Sequence, residues 1–240
     1  MRNILLLSLL LLSSVVQAAD IPSESDNMWT KRDHNNNCEK AIKMLEKATK
    51  QMPDEFTYHW HLARFHYWAA AEARIESEKE NHARKGWEAA DRANKLQPGS
   101  IEGWYWATAN IGLYGEAIGT IRAIKEGLGD TYLDYANKAI EIDPLHDDGG
   151  PYRSLGRYYT KLPWPMKDLK KSMTLLEKSM EENGARALTL YFYAEAQKDS
   201  GDKAGARKSL EKILQFEPNG NNAPEVRRYQ RLSKELLEAL

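Results

Sequence analysis

The chain has 240 residues, with 34 Lys and Arg against 35 Asp and Glu, and a single cysteine. The near balance of charge excludes a basic surface that collects nucleic acid or anionic lipid, and one cysteine excludes an internal disulfide. Frequent Ala, Leu and Lys without β-branched runs predict an all-α fold, built as one extended domain or two small ones.

The first 18 residues predict a secretory signal peptide. Arg2 gives a short positive region, Ile4–Leu12 give an apolar run, and small residues place the cleavage after Ala18. The run is shorter than the roughly 20 residues of a membrane span, and no later segment is as long without charges. The signal peptide therefore predicts a periplasmic or secreted protein without a transmembrane anchor. A lipid anchor is not predicted either, because the only cysteine, Cys38, is not at the cleavage point.

The stretch Phe56–Trp68, FTYHWHLARFHYW, combines aromatic and histidine side chains. On a helix, His59 and His66 share a face, whereas His61 points nearly opposite. A metal pair on one helix needs a spacing of three or four residues, which these histidines lack, so no metal or other cofactor is predicted. Most of the aromatic side chains are expected to pack against neighbouring helices.

Five segments end in a helix-stopping residue at intervals typical of a repeat protein. They are KATKQMP ending at Pro53, RANKLQP at Pro98, KAIEIDP at Pro144, KSMEENG at Gly184 and KILQFEP at Pro218. The last two stops are 34 residues apart, which is the period of the tetratricopeptide repeat (TPR). Two antiparallel helices cannot bury their apolar stripes alone, so each pair is expected to stack on the next.

The last unit resembles a tetratricopeptide repeat position by position. The matching residues are Leu190, Tyr193, Ala194, Gly201, Ala206, Leu210, Ile213 and Pro218. The predicted fold is therefore an all-α, tetratricopeptide-like helical-hairpin solenoid with a C-terminal capping helix. Its predicted divisions are a signal peptide at 1–18, a lead-in at 19–37, the array at 38–220 and the capping helix at 221–240.

The first helices of such an array line its concave groove, so their side chains that are not needed for packing face whatever the groove holds. The candidate ligand-binding or partner-binding residues are Tyr58, His59, Trp60, Trp104, Tyr105 and Tyr152. The alternative is that each of them is a buried or half-buried packing residue.

Two segments interrupt the repeat. The helix after Pro98 is predicted to continue past Gly115 towards Lys125, where it covers a neighbour or closes over the groove. The alternative is an irregular hairpin without a ligand. In Asp143–Pro165, adjacent aspartates followed by Gly149, Gly150 and Pro151 predict a turn and a helix start. The alternative is a calcium loop, but the alternating oxygen ligands and the closing Glu of an EF-hand are missing.

Two longer segments carry a more specific resemblance. DDGGPYRSLGRYYTKLPWP at 147–165 and FYAEAQKDSGDKAGARKSLEKILQFEP at 192–218 resemble exported bacterial TPR proteins related to the T component of TRAP transporters (TatT-like). The resemblance spans most of Ala41–Leu240. It implies a helical array enclosing a groove or pore, and an extracytoplasmic solute-binding protein of a TRAP importer as its partner.

The sequence contains no G-x-S-x-G, H-E-x-x-H, P-loop or dinucleotide-binding motif, so the chain is predicted not to be an enzyme. The predicted function is protein–protein binding through the concave groove. An open, polar-rimmed concave face in the structure would support this prediction. The alternative is an accessory protein of a TRAP-type uptake system that binds a small apolar ligand or a solute-binding protein. A closed pocket lined by aromatic residues would favour the alternative.

Overall fold

The structure is a computed structural model that describes residues 20–181 and 184–240, so the predicted signal peptide lies outside the described residues. The regular elements within these two ranges are all helical. The α-helices are α1 (20–30), α2 (Asn37–Gln51), α3 (Phe56–Glu72), α4 (Glu76–Leu96), α5 (Ile101–Ile118), α6 (Thr120–Lys125), α7 (Leu128–Ile142), α8 (His146–Lys161), α9 (Leu169–Glu181), α10 (Ala187–Asp199), α11 (Lys203–Leu214) and α12 (Ala223–Glu238). Among these helices, none is both long and apolar enough to cross a bilayer.

The helices pack as hairpins that stack in chain order. Helix α3 pairs with α4, α5 with α7, α8 with α9, and α10 with α11. The first helices α3, α5, α8 and α10 also contact one another in turn, so they form one continuous face of the stack. This arrangement confirms the predicted all-α helical solenoid.

The five predicted stop residues all follow the end of a helix. They are Pro53 after α2, Pro98 after α4, Pro144 after α7, Gly184 after α9 and Pro218 after α11. Proline cannot donate the backbone hydrogen bond that would extend a helix, and it forces the preceding residue out of the helical conformation. Gly184 has a φ of 77°, a left-handed conformation that suits glycine at the end of a helix.

The aromatic stretch forms most of α3, which contacts α2, α4 and α5. Its side chains Tyr58, Leu62, Phe65 and Trp68 belong to the buried N-terminal core. Trp29 of α1 packs edge-on against Phe65, with ring centroids 5.3 Å apart. The expectation that most of these aromatic residues pack against neighbouring helices is met in the structure.

The segment after α5 differs from the prediction of one long helix. Helix α5 ends at Ile118, and Gly119 has a φ of 86°, which breaks the helical path before the short helix α6. Only a residue without a side chain adopts this conformation readily, so the chain turns at this point. Ile111 is buried in the core below, whereas Ile121 on α6 is exposed. The prediction of a continuous helix towards Lys125 is therefore wrong.

The two ends of the array contact each other. Arg227 of α12 pairs with Asp33, which follows α1, at 2.7 Å. Arg228 of the same helix pairs with Glu72 at the end of α3 at 2.6 Å. These contacts join residues more than 150 positions apart. The C-terminal helix therefore contacts the N-terminal part of the array directly.

Two buried histidines of α3 should make stability depend on pH. The Nδ1 of His61 lies 2.8 Å from Ser25 Oγ, and the Nδ1 of His66 lies 2.9 Å from that of His82. Burial lowers the pKa of His61 and of His66 to about 3 in each case. In the unfolded chain the histidine pKa is near 6.5, so below that pH the unfolded state binds protons that the folded state does not bind. The free energy of unfolding therefore falls as pH drops below about 6.5. At pH 5 the expected loss is about 2 kcal/mol for each histidine.

Urea denaturation at pH 7.5 and at pH 5.0 measures this loss. His61→Asn is the comparison variant, because the amide keeps a polar group near Ser25 but does not titrate. We expect the variant to lose about 2 kcal/mol less than the unmodified protein on acidification. An equal loss in both proteins would show that His61 does not control the acid response.

Candidate functional site

Two cavities lie on the inner face formed by the first helices. One has a volume of about 320 Å³ and lies between α5, α6, α7, α8 and α10. We call it the apolar cavity; its main apolar lining residues are Ile111, Leu113, Leu128, Tyr132, Leu188 and Phe192. The other has a volume of about 240 Å³ and lies between α1, α3, α5, α10 and α12. We call it the arginine cavity; the arginines that line it are Arg32, Arg64, Arg186 and Arg228.

Exposed apolar side chains line part of the apolar cavity, and others lie near them in the chain. Ile124 of α6 and Met166 after α8 both line the cavity, yet they are 44% and 45% exposed. Ile121 is also exposed, and Trp164 is 88% exposed beside Thr120, the first residue of α6. We call Ile121, Ile124, Trp164 and Met166 the apolar rim. Clustered exposed apolar side chains are typical of interaction sites.

Tyr105 forms part of the wall between the two cavities and lines both of them. Its hydroxyl donates to Asp147 Oδ2 at 2.6 Å and accepts from Arg153 Nη2 at 2.9 Å. Burial raises the pKa of Tyr105 well above its usual value. The phenol is therefore a neutral hydrogen-bonding group that ties α5 to α8.

A network of buried ion pairs lies behind this tyrosine. Asp147 pairs with Arg153 at 2.7 Å and with Arg186 at 2.5 Å, and Arg186 also pairs with Glu225 of α12. Burial alone would raise the pKa of Asp147, but the charges of Arg186 and Arg153 outweigh it and hold the pKa well below its usual range. Asp147 therefore remains an anion that links α8, the start of α10 and α12.

The backbone around Asp147 explains why its carboxylate points inward. Asp147, Asp148 and Gly149 have φ values of 52°, 54° and 73°, which form a left-handed turn before the regular part of α8. Aspartate tolerates this conformation better than most residues, and glycine tolerates it best. Pro151 follows in the first regular turn, where its missing N–H is not needed. The prediction of a turn and helix start before α8 agrees with this geometry.

A second group of ion pairs lies at the other side of the apolar cavity. Arg157 of α8 pairs with Glu116 of α5 at 3.0 Å and with Glu195 of α10. Lys161 adds a contact to Glu195 at 2.9 Å. Burial alone favours the neutral acid, but Arg157 is the main group that holds the pKa of Glu116 below its usual value. The polar groups of this wall are therefore already paired within the protein.

The structure brings two of the six candidate residues together at the cavities. Trp60 lines the arginine cavity, where the guanidinium of Arg64 lies 4.9 Å from the centre of its ring. Tyr105 lines both cavities. Trp60 and Tyr105 are therefore the two predicted residues that line a cavity.

The other candidates do not line either cavity. His59 Nε2 lies 2.8 Å from the carbonyl oxygen of Pro53, and Tyr58 is buried in the N-terminal core. The indole N–H of Trp104 donates to the carbonyl oxygen of Pro98 at 2.9 Å. These contacts fasten α3 and α5 to the turns that precede them.

Tyr152 also lies away from both cavities. The ammonium group of Lys178, on α9, lies 4.4 Å from the centre of its ring. The tyrosine therefore contacts the second helix of its own hairpin. Whether any of these residues binds a ligand or partner stays a prediction.

Sequence reasoning missed the charged residues that line the cavities. Arg64 lies within the aromatic stretch of α3, and Arg153 and Arg157 lie within the first helix α8. The sequence did contain an indication of these residues: an arginine at an inward position of a first helix is expected to be buried and therefore to pair with a carboxylate. Their partners come from distant helices, so the sequence did not indicate which carboxylates pair with them.

Comparison with known proteins identifies relatives of this architecture. The sequence model of a family described as "Regulator of microtubule dynamics protein 1-3" matches residues 21–170. No curated protein is similar enough in sequence to count as a match. The crystal structure of TTC0263, a thermophilic TPR protein of Thermus thermophilus, is similar with a TM-score of 0.65 and 15% identity, covering 88% of this chain and 97% of that one. That similarity shows the TPR-like fold.

A second solved structure is more distant. YrrB, described as a TPR protein with an unusual peptide-binding site, has a TM-score of 0.43 and 12% identity, covering 85% of this chain and 90% of its own.

Proposed function

The chain belongs to the regulator of microtubule dynamics protein 1-3 family, and we propose that it is a non-enzymatic binding protein that captures an apolar group of a protein partner in its apolar cavity. The family description names an effect on microtubules and specifies no ligand for this chain. The observation that carries the proposal is the continuity between the cavity and the apolar rim. Ile124 and Met166 belong to both, so one partner surface can cover the rim and insert a side chain.

The contact between the array ends decides how a partner can bind. Arg227 and Arg228 of α12 hold the C-terminal end against the N-terminal helices. In this proposal a single inserted side chain suits the site better than a long peptide, which would need the open, polar-rimmed face that a scaffold predicts. A partner must approach from the mouth beside α6. Apolar anchors that fill pockets of this kind contribute much of the affinity of protein interfaces.

The charges around the cavities support binding in preference to catalysis. Asp147 and Glu116 are held as anions by arginine, and their pKa values are lowered. A general acid at neutral pH needs a raised carboxyl pKa instead. We therefore propose a binding role without turnover.

Crosslinking from the rim tests for a protein partner. A photoreactive phenylalanine analogue placed at the exposed position Ile124 should give a discrete protein adduct in cells that express the chain. The same group at Ala204, an exposed position on α11, is the matched control. The adduct should be lost when Trp164 is replaced by serine, because the rim loses its largest exposed side chain. Equal crosslinking from both positions would contradict the proposal.

A second candidate is supported by the size of the apolar cavity. About 320 Å³ is within the range of small-molecule sites, and the mainly apolar walls suit a small apolar ligand. In this candidate the protein is an accessory of a TRAP-type uptake system, which delivers the ligand to or from an extracytoplasmic solute-binding protein. Capture of such a protein by the purified chain, in the presence of the transported solute, is the experiment that tests the transport role.

A substitution that fills the apolar cavity should block a small ligand. Ala109 lines the cavity from α5, and a tryptophan at this position would occupy much of its volume. We expect Ala109→Trp to weaken binding of the neutral probe N-phenyl-1-naphthylamine at least tenfold, measured by its fluorescence. Ala204→Trp adds the same side chain on the exposed surface of α11 and should bind the probe as the unmodified protein does. Equal weakening in both variants would contradict binding in the cavity.

Export is proposed from the first 18 residues, whose sequence has the charge, apolar run and cleavage signal of a signal peptide. In a host with a periplasm, mass spectrometry should find a mature protein that begins at Ala19. Replacing Leu7 and Leu10 with aspartate interrupts the apolar run and should leave the precursor uncleaved in the cytoplasm. An uncleaved protein without these changes would contradict export by this signal.

A further inference from the structure

The arginine cavity is separate in chemistry from the apolar cavity. Trp29, Trp60, Trp68 and Trp106 line it, together with four arginines. Asn222 is exposed at its edge, which provides access from solvent. The cavity thus combines flat aromatic walls with guanidinium groups in an enclosed space.

Two of the four arginines are fully matched by carboxylates. Arg186 pairs with Asp147 and with Glu225, and Arg228 pairs with Glu72 at 2.6 Å. These pairs satisfy the guanidinium groups and fix α12 against the rest of the array. They leave no reason to expect a further anion at Arg186 or Arg228.

Arg32 has no such match among the described residues. It is 4% exposed, and its Nη1 donates only to the carbonyl oxygens of Trp29 and Asn221, at 2.8 and 3.0 Å. Its buried Nε–H has no acceptor among the described residues. No carboxylate in the described part of the chain lies within ion-pair distance of this guanidinium. Burial lowers the pKa of Arg32 to about 10, and the nearby charges of Glu225 and Asp33 do not offset the effect.

Arg64 is only partly matched. It is 8% exposed, and its Nη2 donates to Asp26 at 2.7 Å, a carboxylate at the protein surface. Its Nε–H is buried and also lacks an acceptor among the described residues. A buried donor without a partner costs roughly 1–3 kcal/mol, and more when the group is charged. Both arginines therefore line the cavity with part of their hydrogen-bonding capacity unused.

The aromatic rings hold these two guanidinium groups in place. Trp29 lies under both, at 4.0 Å from the guanidinium carbon of Arg32 and 4.6 Å from that of Arg64. Trp68 adds a contact to Arg32 at 4.4 Å. A guanidinium that lies against aromatic rings keeps the N–H groups of its edge for an acceptor in its own plane. A carboxylate fits such an edge with two parallel hydrogen bonds.

We propose that the arginine cavity binds a small carboxylate with an aromatic or apolar body, whose oxygens accept from Arg32 and Arg64 while the body lies against the tryptophans. The volume of about 240 Å³ suits a small acid rather than a long chain. This site differs from the apolar cavity in its binding groups, because Arg32, Arg64 and the tryptophans do not line the apolar cavity.

Benzoate is the probe that tests the proposal, with benzamide as its uncharged counterpart of the same shape. Titration calorimetry of the unmodified protein should show binding of benzoate and at least tenfold weaker binding of benzamide. Quenching of tryptophan fluorescence should follow the same isotherm, because four tryptophans line the cavity. Equal binding of the two compounds, or no binding of benzoate, would overturn the proposal without any need for a variant.

Variants then locate the site. Arg32→Gln should weaken benzoate at least tenfold, and Arg32→Lys should also weaken it, because lysine keeps the charge but lacks the planar edge. Arg84→Gln, at a solvent-facing position of α4, is the matched control and should bind benzoate normally. Unchanged affinity in a folded Arg32→Gln protein would overturn the assignment. Binding of N-phenyl-1-naphthylamine should be unaffected by Arg32→Gln, so failure of this site and failure of the apolar cavity are distinguishable.

Discussion

Replacing Asp147 with asparagine is expected to lower the free energy of unfolding by about 3 kcal/mol. The amide keeps the shape of the side chain and tolerates the left-handed backbone at this position, where φ is 52°. It removes the negative charge that Arg153 and Arg186 share at 2.7 and 2.5 Å. Both cations would then remain buried without that charge, which is the costly state of a broken buried ion pair. Urea denaturation at pH 7.5 measures the change.

Asp148→Asn is the matched control. This neighbour has the same backbone conformation, with a φ of 54°, but its side chain is 41% exposed and its carboxylate lies 3.8 Å from Arg186. Its loss should cost below about 1 kcal/mol, as for other exposed pairs. If the two variants lose the same stability, the buried network around Asp147 does not hold the array together as inferred.

Replacing Gly149 with alanine is expected to cost at least about 3 kcal/mol, from two separate causes. Its φ of 73° is unfavourable for any residue with a side chain. An added Cβ would also lie 2.5 Å from the carbonyl oxygen of Ser179, which is backbone of α9 and cannot turn away. Thermal and urea denaturation should both show the loss, because the substitution pushes α9 away from the turn that carries Asp147.

Gly127→Ala separates the two causes. Gly127 has nearly the same φ, 71°, but no atom of the described residues lies within 4 Å of the position that its Cβ would take. Only the backbone cost of about 1–2 kcal/mol should therefore appear. An equally small loss in Gly149→Ala would mean that α9 moves aside easily and that the turn is not tightly packed.

These two predictions concern the same structural device, a left-handed turn that directs a carboxylate into the interior. Arg186 connects this carboxylate to Glu225 on α12, and α12 in turn contacts Asp33 after α1 and Glu72 of α3. The ion pairs therefore contribute to the closure that encloses both cavities. Substitutions that break this chain of contacts should weaken ligand binding as well as stability, because the cavity walls come from both ends of the array.

The sequence by itself determined the helices and their order. Stop residues such as Pro98 and Pro218 act on the residues beside them, and the spacing of apolar residues on a helix is a local pattern, so both could be predicted without a structure. The same holds for the turn before α8, since DDGGP favours a turn through its own backbone preferences. The break at Gly119 was missed, because glycine permits a left-handed conformation without requiring it.

Only the tertiary structure decided which side chains line an enclosed space. The aromatic residues of α3 looked alike in the sequence, yet Trp60 lines a cavity while Tyr58 is in the core. The difference depends on the curvature of the stack. This curvature is the total of small rotations between successive hairpins, so the sequence of a single hairpin does not reveal it. The pairing of Arg186 with Glu225 depends on that curvature too, as does the lack of a carboxylate from the described residues at Arg32. Ion pairs form only between residues that folding brings within a few ångströms.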